Sequence, residues 1–174
     1  IELLRYKTPS LLADAAESGA WDIGNIGAEP ARARTIAFTA AYCEIEATYL
    51  VPPGSPITSV DEVDRPGVRI ASATGSAYGL WLDRNITQAE VVNTDGLDGS
   101  WNAFADGPLE ALAGLRPRLI TDVEKMPGAR ILDGKFTAVQ QAMGTPRDRD
   151  PAGIEYLVSF VEAAKASGLV AQLI

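Results

Sequence analysis

The sequence predicts an α/β protein, because strand-like and helix-like segments alternate through most of its 174 residues. Residues 2–6 and 21–26 are expected to form short strands. Between them, Thr8-Pro9 is typical of a helix N-terminus and Gly19 of a helix end. The chain is therefore expected to open as β-α-β, the unit of a parallel sheet.

A second alternating series follows the long extended run 42–51, which a proline-rich stretch at 52–56 interrupts. Ser59 is expected to cap a short acidic helix over residues 60–64. The remaining predicted strands lie at 68–71, at 91–92, directly after 109–114, at 130–132 and at 137–144, and the remaining predicted helices at 75–84, 97–105, 117–126, 151–166 and 168–174.

The composition excludes several classes of function. The 15 Lys and Arg residues against 23 Asp and Glu residues give a formal charge of −8, which argues against nucleic acids and anionic membrane surfaces as partners. Histidine is absent, which removes imidazole metal sites and His-based catalysis. The single cysteine, Cys43, excludes an internal disulfide and a thiolate metal cage. No metal and no cofactor is therefore predicted.

The segment 21–42 is the most informative part of the chain. A predicted strand runs into a glycine-rich turn, and a basic segment with Arg32 and Arg34 follows before the apolar Ile36. This order puts flexible backbone, open amide groups and a guanidinium at the carboxyl end of a strand. Open α/β sheets commonly hold carboxylate ligands with such a set.

The same segment resembles the core motif of the periplasmic solute-binding proteins of ABC transporters, in the family that binds polar amino acids (solute-binding family 3). The residues that carry the resemblance are Asp22, the turn Gly24 to Ala28, Arg32, Phe38, Thr39 and Tyr42. Further matching pieces are 51–57, 60–63, 67–71 and 74–78. Family members normally begin with a strand and a helix that are missing here.

The resemblance implies a two-lobed, periplasmic-binding-protein-like (type II) fold with a truncated first lobe. Lobe 1 would combine residues 1–43 with 140–174, lobe 2 would span 46–134, and the hinges would lie near 43–46 and 134–139. The resemblance also implies a periplasmic or extracellular location, although no signal peptide is visible in the chain. The chain opens within the fold, as expected of a mature or a shortened protein.

Arg32 is the first candidate for ligand binding. A guanidinium grips a carboxylate through two parallel hydrogen bonds. Arg32 stands six residues before Phe38, which is the spacing of the carboxylate-binding arginine in the resembling family. The alternative is a surface arginine paired with Glu29. Next to it, Asn25 and Gly27 would offer a side chain and backbone amides to the ligand, unless the glycines serve only a tight turn.

The second lobe is expected to contribute Thr74, Ser76 and Ala77 to the site. These residues follow a predicted strand and open a helix, where amide groups and a hydroxyl form an anion site. Plain N-capping would use the same residues. Tyr42 is expected to line the cleft, whereas the three tryptophans are expected in the core because each ring buries a large area.

The amino end of an amino acid lacks an evident partner. Family members that bind amino acids usually place an acid after the short strand of the second lobe, where this chain has Gly114-Leu115 followed by Arg116. Burying an ammonium group without an acid is costly. The ligand is therefore either an organic acid without that group, or an amino acid whose ammonium is bound by Glu44 or Glu46.

Binding without chemistry is the preferred interpretation. Two lobes would close over a small carboxylate-bearing solute, an amino acid or an organic acid, and deliver it to an ABC permease. One alternative is an enzyme on the same scaffold, because cyclohexadienyl dehydratases resemble these proteins; Glu44 or Glu46 would then be the general acid. The other alternative is an interaction module without ligand binding. The missing first strand would leave a sheet edge that pairs with a second copy, giving a homodimer.

Overall fold

The computed structural model describes all 174 residues, 1–174. The strands are β1 Gly24–Ala28, β2 Ile36–Phe38, β3 Cys43–Val51, β4 Arg69–Ala73, β5 Glu90–Thr94, β6 Ala111–Leu115, β7 Arg130–Ile131 and β8 Thr137–Pro146. The α-helices are α1 Pro9–Asp14, α2 Ala77–Asn85, α3 Gly96–Asp106, α4 Arg116–Val123, α5 Pro151–Ala166 and α6 Leu169–Leu173. Two short turns of 3-10 helix lie at Arg32–Arg34 and Val60–Glu62.

The chain divides into two compact units. The first unit comprises Ile1–Glu44 and Gln140–Ile174, and the second unit comprises Ile45–Val139. The chain therefore passes from one unit to the other twice, once within β3 and once within β8.

In the first unit, β8 is the central strand of an antiparallel set. Gly144 pairs with Gly24 of β1 and also with Phe38 of β2, so β1 and β2 lie on opposite sides of β8. A nearby indole is fixed by a hydrogen bond, because Trp21 Nε1–H donates to the Leu12 carbonyl at 2.9 Å. The buried cluster of this unit consists of Ala16, Trp21 and Ile36.

The predicted β-α-β opening is wrong. Residues 1–6 form no strand, and the pairings of β1 and β2 with β8 are antiparallel. A strand persists only where a neighbour takes up its backbone hydrogen bonds, and no strand pairs with residues 1–6. The helix after them forms as predicted, with the Thr8 side chain accepting from Leu11 N–H at 3.3 Å. The strand predicted over residues 21–26 lies slightly further along the chain, as β1 Gly24–Ala28.

In the second unit, three parallel strands lie in the order β6-β4-β5. β3 pairs antiparallel with β6, and β7 pairs antiparallel with β3. Neighbouring residues of β4 point to opposite faces of this sheet. Ile70 packs in one cluster with Leu82 of α2, whereas Ala71 packs in another with Phe104 of α3 and Leu119 of α4. Helices therefore cover both faces, as in a doubly wound sheet.

Gly144 lies so close to β2 that a larger residue does not fit. A Cβ at this position would lie 2.5 Å from Ile36 Cγ2 and 3.2 Å from Phe38 Cδ1. We expect Gly144→Ala to lower the free energy of unfolding by about 1–3 kcal/mol, the usual cost of overpacking. Gly153→Ala in α5 is the control, because a Cβ there meets nothing within 4 Å. Urea unfolding compares the two variants, and equal effects would contradict the assigned register of β2.

The Asp64 carboxylate closes the loop before β5. It accepts hydrogen bonds from the backbone N–H groups of Thr87, Gln88 and Ala89, at 2.8 to 3.1 Å. Partial burial raises the pKa of Asp64, but these donors outweigh it and bring the pKa from 3.8 to about 2.

This carboxylate makes stability depend on pH. Because the pKa is lower in the folded chain, the stabilisation is fully present above the unfolded value of 3.8 and is lost as the pH falls towards about 2. We expect Asp64→Asn to lower the free energy of unfolding by about 1 kcal/mol at pH 7. The difference from the unmodified chain should be smaller at pH 3. Urea unfolding at both pH values measures this difference in the free energy of unfolding. A difference that is the same at pH 7 and pH 3 would show that the ionised Asp64 carboxylate does not stabilise the fold.

Candidate functional site

The second unit contains a topological switch point between β4 and β6. From β4 the chain passes through α2 to β5 on one side, and then through α3 to β6 on the other side. α2 packs on one face of the sheet, and α3 and α4 pack on the other. The segments that leave the carboxyl ends of β4 and β6 therefore diverge. In open α/β sheets, ligands bind in the crevice outside the strand ends at such a point.

The turn after β4 is fixed by backbone geometry and by Thr74. Gly75 has a φ of +66°, a left-handed conformation that glycine adopts at little cost. The Thr74 backbone N–H and the Thr74 hydroxyl both donate to the Thr94 carbonyl, at 2.9 and 2.8 Å. Thr74 therefore joins the carboxyl ends of β4 and β5, and its side chain is exposed at this edge.

Ser76 is the N-cap of α2, and Ala77 is its first residue. The Ser76 Oγ accepts from the Gly79 N–H at 3.0 Å. Ser76 and Ala77 are buried, at 5% and 7% exposure, so the polar groups of this turn are mainly those of the backbone. The first N–H groups of a helix have no partner within the helix, and they favour an anion at this end.

The first turn of α2 packs directly on the end of β4. A Cβ at Gly79 would lie 2.8 Å from Ser76 Oγ, 2.9 Å from the Ala73 carbonyl oxygen and 3.0 Å from Ser72 Oγ. Ser72 is fully buried, and its hydroxyl has no hydrogen-bond partner. The absence of a side chain at Gly79 therefore sets how closely the helix approaches the strand.

The β6 side of the switch point carries an ion-pair cluster. Leu115 ends β6 and Arg116 opens α4. Arg116 Nε donates to Glu46 Oε2 at 2.9 Å, and Arg116 Nη2 donates to the Gly134 carbonyl. Lys135 Nζ lies 3.6 Å from Glu46 Oε1. The hydrogen bond from Arg116 is the main cause of a lowered pKa of Glu46, so this carboxylate is ionised at neutral pH.

Arg32 is buried in the first unit, at 5% exposure, on the 3-10 turn between β1 and β2. Its Nη1 donates to the Gly27 carbonyl at 2.7 Å, so two of the predicted site residues lie in contact. Burial lowers the pKa of the guanidinium, and the negative charges of Glu29 and Asp14 oppose this effect. Arg34, in contrast, is exposed. The Arg32 guanidinium ties the end of β1 to the segment that leads into β2.

Asn25 and Tyr42 line a pocket of about 320 Å³ in the first unit. Asn25 is exposed on β1 and Tyr42 is half-buried, and Met143 of β8 and apolar side chains of α5 and α6 complete the walls. Burial raises the pKa of the Tyr42 phenol, with a further contribution from Cys43. The phenol is therefore a protonated hydrogen-bond donor at neutral pH.

The tryptophans lie in packed surroundings. Trp21 is buried in the first unit. In the second unit, the Trp81 ring lies 5.2 Å from the Phe136 ring, and the Trp101 ring lies 6.2 Å from the Phe104 ring.

No helix has the length and apolarity that crossing a membrane requires. No three or more Asp, Glu or Cys side chains are grouped to hold a metal ion.

Similarity to known proteins is found in the structure and not in the sequence. No protein-family model matches the sequence, and no curated protein matches it either. Solved structures match over nearly the whole chain. One is an amino acid ABC transporter substrate-binding protein, AbpA from Streptococcus pneumoniae Canada MDR_19A, bound to L-arginine. It is similar with a TM-score of 0.77 and 19% identity, over 99% of this chain and 74% of that one.

A second similar structure is the GluR0 ligand-binding core in complex with L-glutamate, with a TM-score of 0.77, 21% identity, and coverage of 98% of this chain and 78% of that one. The chain has the type II periplasmic-binding-protein fold. A third structure with this fold is the ancestral amino acid-binding protein AncCDT-1, a precursor of cyclohexadienyl dehydratase. Its TM-score is 0.74 at 18% identity, over 92% of this chain and 70% of that one. The predicted fold class is confirmed.

The N-cap of α2 can be tested in this periplasmic-binding-protein fold by removing the Ser76 hydroxyl. We expect Ser76→Ala to lower the free energy of unfolding by about 1 kcal/mol, because the Gly79 N–H loses its acceptor in a buried turn. Ser18→Ala is the control, because Ser18 is exposed and outside any helix, and should stay within about 0.5 kcal/mol. Thermal or urea unfolding measures both, and an unchanged Ser76→Ala variant would rule out the capping role.

Proposed function

We propose that this chain is an extracytoplasmic solute-binding protein, which captures a small carboxylate-bearing solute for ABC transport. The proposal rests on one observation. The N-terminus of α2 opens at the carboxyl edge of a doubly wound sheet, at its switch point, where backbone amides favour an anion. Similar structures contain L-arginine or L-glutamate, and both ligands carry a carboxylate.

Two sets of residues are proposed to contact the solute. In the second unit they are Thr74, Ser76 and Ala77, with the backbone amides of the α2 N-terminus as the main donors. In the first unit they are Arg32, Asn25, Gly27 and Tyr42. Arg32 supplies a permanent charge that is already desolvated, so an electrostatic contact with a carboxylate would be stronger there than in water. An ABC permease as partner and a periplasmic or extracellular location belong to the same proposal.

We propose binding without catalysis. The ancestral structure named above is described as a precursor of cyclohexadienyl dehydratase. The enzyme to compare with is therefore a dehydratase. A dehydratase needs a general acid whose pKa is raised. The pKa of Glu46 is lowered instead, because Arg116 and Lys135 favour the ionised form of its carboxyl group. Glu44 is exposed and accepts a hydrogen bond from Gln140 at 2.9 Å. Neither carboxyl group therefore supports elimination chemistry.

A homodimer also remains a proposal. β1 lies at one end of the strand order, and its second side is not paired with another strand. Tyr156, Phe160 and Leu173 are exposed apolar residues of the same unit, at 74%, 48% and 78% exposure. An open strand edge beside exposed apolar side chains favours self-association.

The binding function is tested with Arg32→Met. Amino acids and organic acids are first screened for a rise in melting temperature, because a ligand stabilises the folded state by mass action. Calorimetry then measures the affinity for each hit. We expect Arg32→Met to weaken binding by about tenfold or more, since a charge-assisted pair is lost. Arg34→Met, two residues away and exposed, should stay within about twofold.

Because Arg32 also holds the end of β1, Asn25→Ala serves as a second test at an exposed position of the same strand. Retained affinity in both Arg32→Met and Asn25→Ala would remove the first unit from the proposed site. The absence of any stabilising compound in the screen would contradict solute binding as a whole.

A further inference from the structure

We propose that the bound solute is an organic acid without an ammonium group, and that Leu115, Arg116 and Glu46 determine this selectivity. The inference rests on the solute-binding function proposed above and narrows its ligand class. It depends on the balance of charge at the switch point between β4 and β6.

On the β6 side of the switch point, the carboxylate of the ion-pair cluster is already paired. Glu46 is the carboxylate that contacts this end, and it already binds two cations, Arg116 at 2.9 Å and Lys135 at 3.6 Å. Two positive charges against one negative charge leave this cluster with a net charge of +1. The residue that ends the strand, Leu115, is apolar.

Two acids of the adjoining helices, Asp122 and Asp98, are engaged in the same way. Asp122 of α4 is 2% exposed and binds both Arg118 and Lys125, at 2.8 and 2.7 Å. Asp98 of α3 binds Nη2 of the same Arg118 guanidinium, at 2.8 Å. An ammonium group that bound either of these two acids would displace an existing ion pair and leave a cation unpaired.

Asp133 also lies at this edge of the sheet; it is exposed and follows β7, which β3 separates from β6. Asp95 is a further acid at this edge. It is the N-cap residue of α3, and its side chain makes no capping hydrogen bond. However, it follows β5, which lies on the far side of β4 from β6. Asp95 is therefore a strand away from the switch point, and it provides a direct test of the inference.

The chemistry at the switch point therefore favours anions and disfavours cations. The α2 N-terminus attracts a carboxylate, and so do the two cations Arg116 and Lys135. An ammonium group placed against Leu115 would lose its hydration without gaining a partner, which is costly. A zwitterionic amino acid pays this cost, and the same skeleton without the amino group does not.

The experiment compares matched pairs that differ only in the α-amino group. The pairs are glutarate and L-glutamate, succinate and L-aspartate, 4-methylpentanoate and L-leucine, and 5-guanidinopentanoate and L-arginine. Calorimetry with the full chain at pH 7 gives both affinities of each pair. We expect the deaminated member of the best-binding pair to bind at least about tenfold more tightly, on the scale of one lost charge contact.

An L-amino acid that binds as tightly as its deaminated partner, or more tightly, would overturn this inference and leave the solute-binding function intact. If no member of any pair binds, the proposed carboxylate-binding function fails, and this inference fails with it. Asp95→Asn and Asp133→Asn test the two other acids at this edge. If either variant abolishes amino acid binding, the ammonium group is held at β5 or at β7, and the role assigned to the β6 end is wrong.

Leu115→Asp tests the selectivity determinant itself. An acid at the end of β6 should narrow or reverse the preference by about tenfold, because it supplies the missing partner for the ammonium group. Leu115→Asn is the matched control, with nearly the same shape and no charge, and it should keep the preference for the deaminated member. Equal selectivity in Leu115→Asp and Leu115→Asn would exclude a charge effect at this position.

Discussion

The close approach of α2 to β4 is the constraint on which the second unit depends. Gly79 and Ser72 lie at the contact, and the helix begins only four residues after the strand ends. Because no side chain separates the two backbones, the helix N-terminus stays at the strand end. Gly75 adopts a left-handed backbone conformation, which allows this abrupt change of direction without a steric clash. The anion-favouring character of this edge is thus a consequence of packing, and it needs no basic side chain of its own.

Several charged residues of the second unit are arranged in mutually satisfied sets. Asp122 is almost fully buried between two cations, and Arg69 binds both oxygens of Glu110 at 3.0 and 2.8 Å. A buried carboxylate is tolerated only when its partners remain, since an unpaired charge in the interior is strongly destabilising. This arrangement explains how a chain with a formal charge of −8 still has a sheet edge suited to an anion.

The sequence predicted most of the second unit because its signals are local. Caps, glycines and proline breaks fix the ends of most elements from residue 59 onwards to within about three residues. The exception is β6, which was predicted directly after residue 114 and lies over Ala111–Leu115. The opening of the chain was mispredicted because residues 2–6 have strand-like composition but no pairing partner, and pairing is not a local property. The antiparallel order around β8 is likewise set by contacts between residues more than a hundred positions apart.

Candidate site residues followed the same rule. The strand-to-helix turn at Thr74 to Ala77 is local in sequence, so its position could be predicted. The hydrogen bond from Arg32 to the Gly27 carbonyl was not predicted, although the two residues are close in sequence. The ion cluster of Glu46, Arg116 and Lys135 joins three distant segments. The sequence offered Glu46 as a candidate partner for an ammonium group and showed Arg116 as a cation without a partner, but only the fold shows that the two form an ion pair.

The distribution of tryptophans has a practical consequence for studying the two units. Trp21 is the only tryptophan of the first unit, whereas Trp81 and Trp101 both belong to the second. Lys125 Nζ lies 5.0 Å from the centre of the Trp101 ring, a position that perturbs the indole through its cation. A chain with Trp81→Phe and Trp101→Phe would therefore have tryptophan fluorescence from the first unit alone, and a chain with Trp21→Phe would have it from the second unit alone.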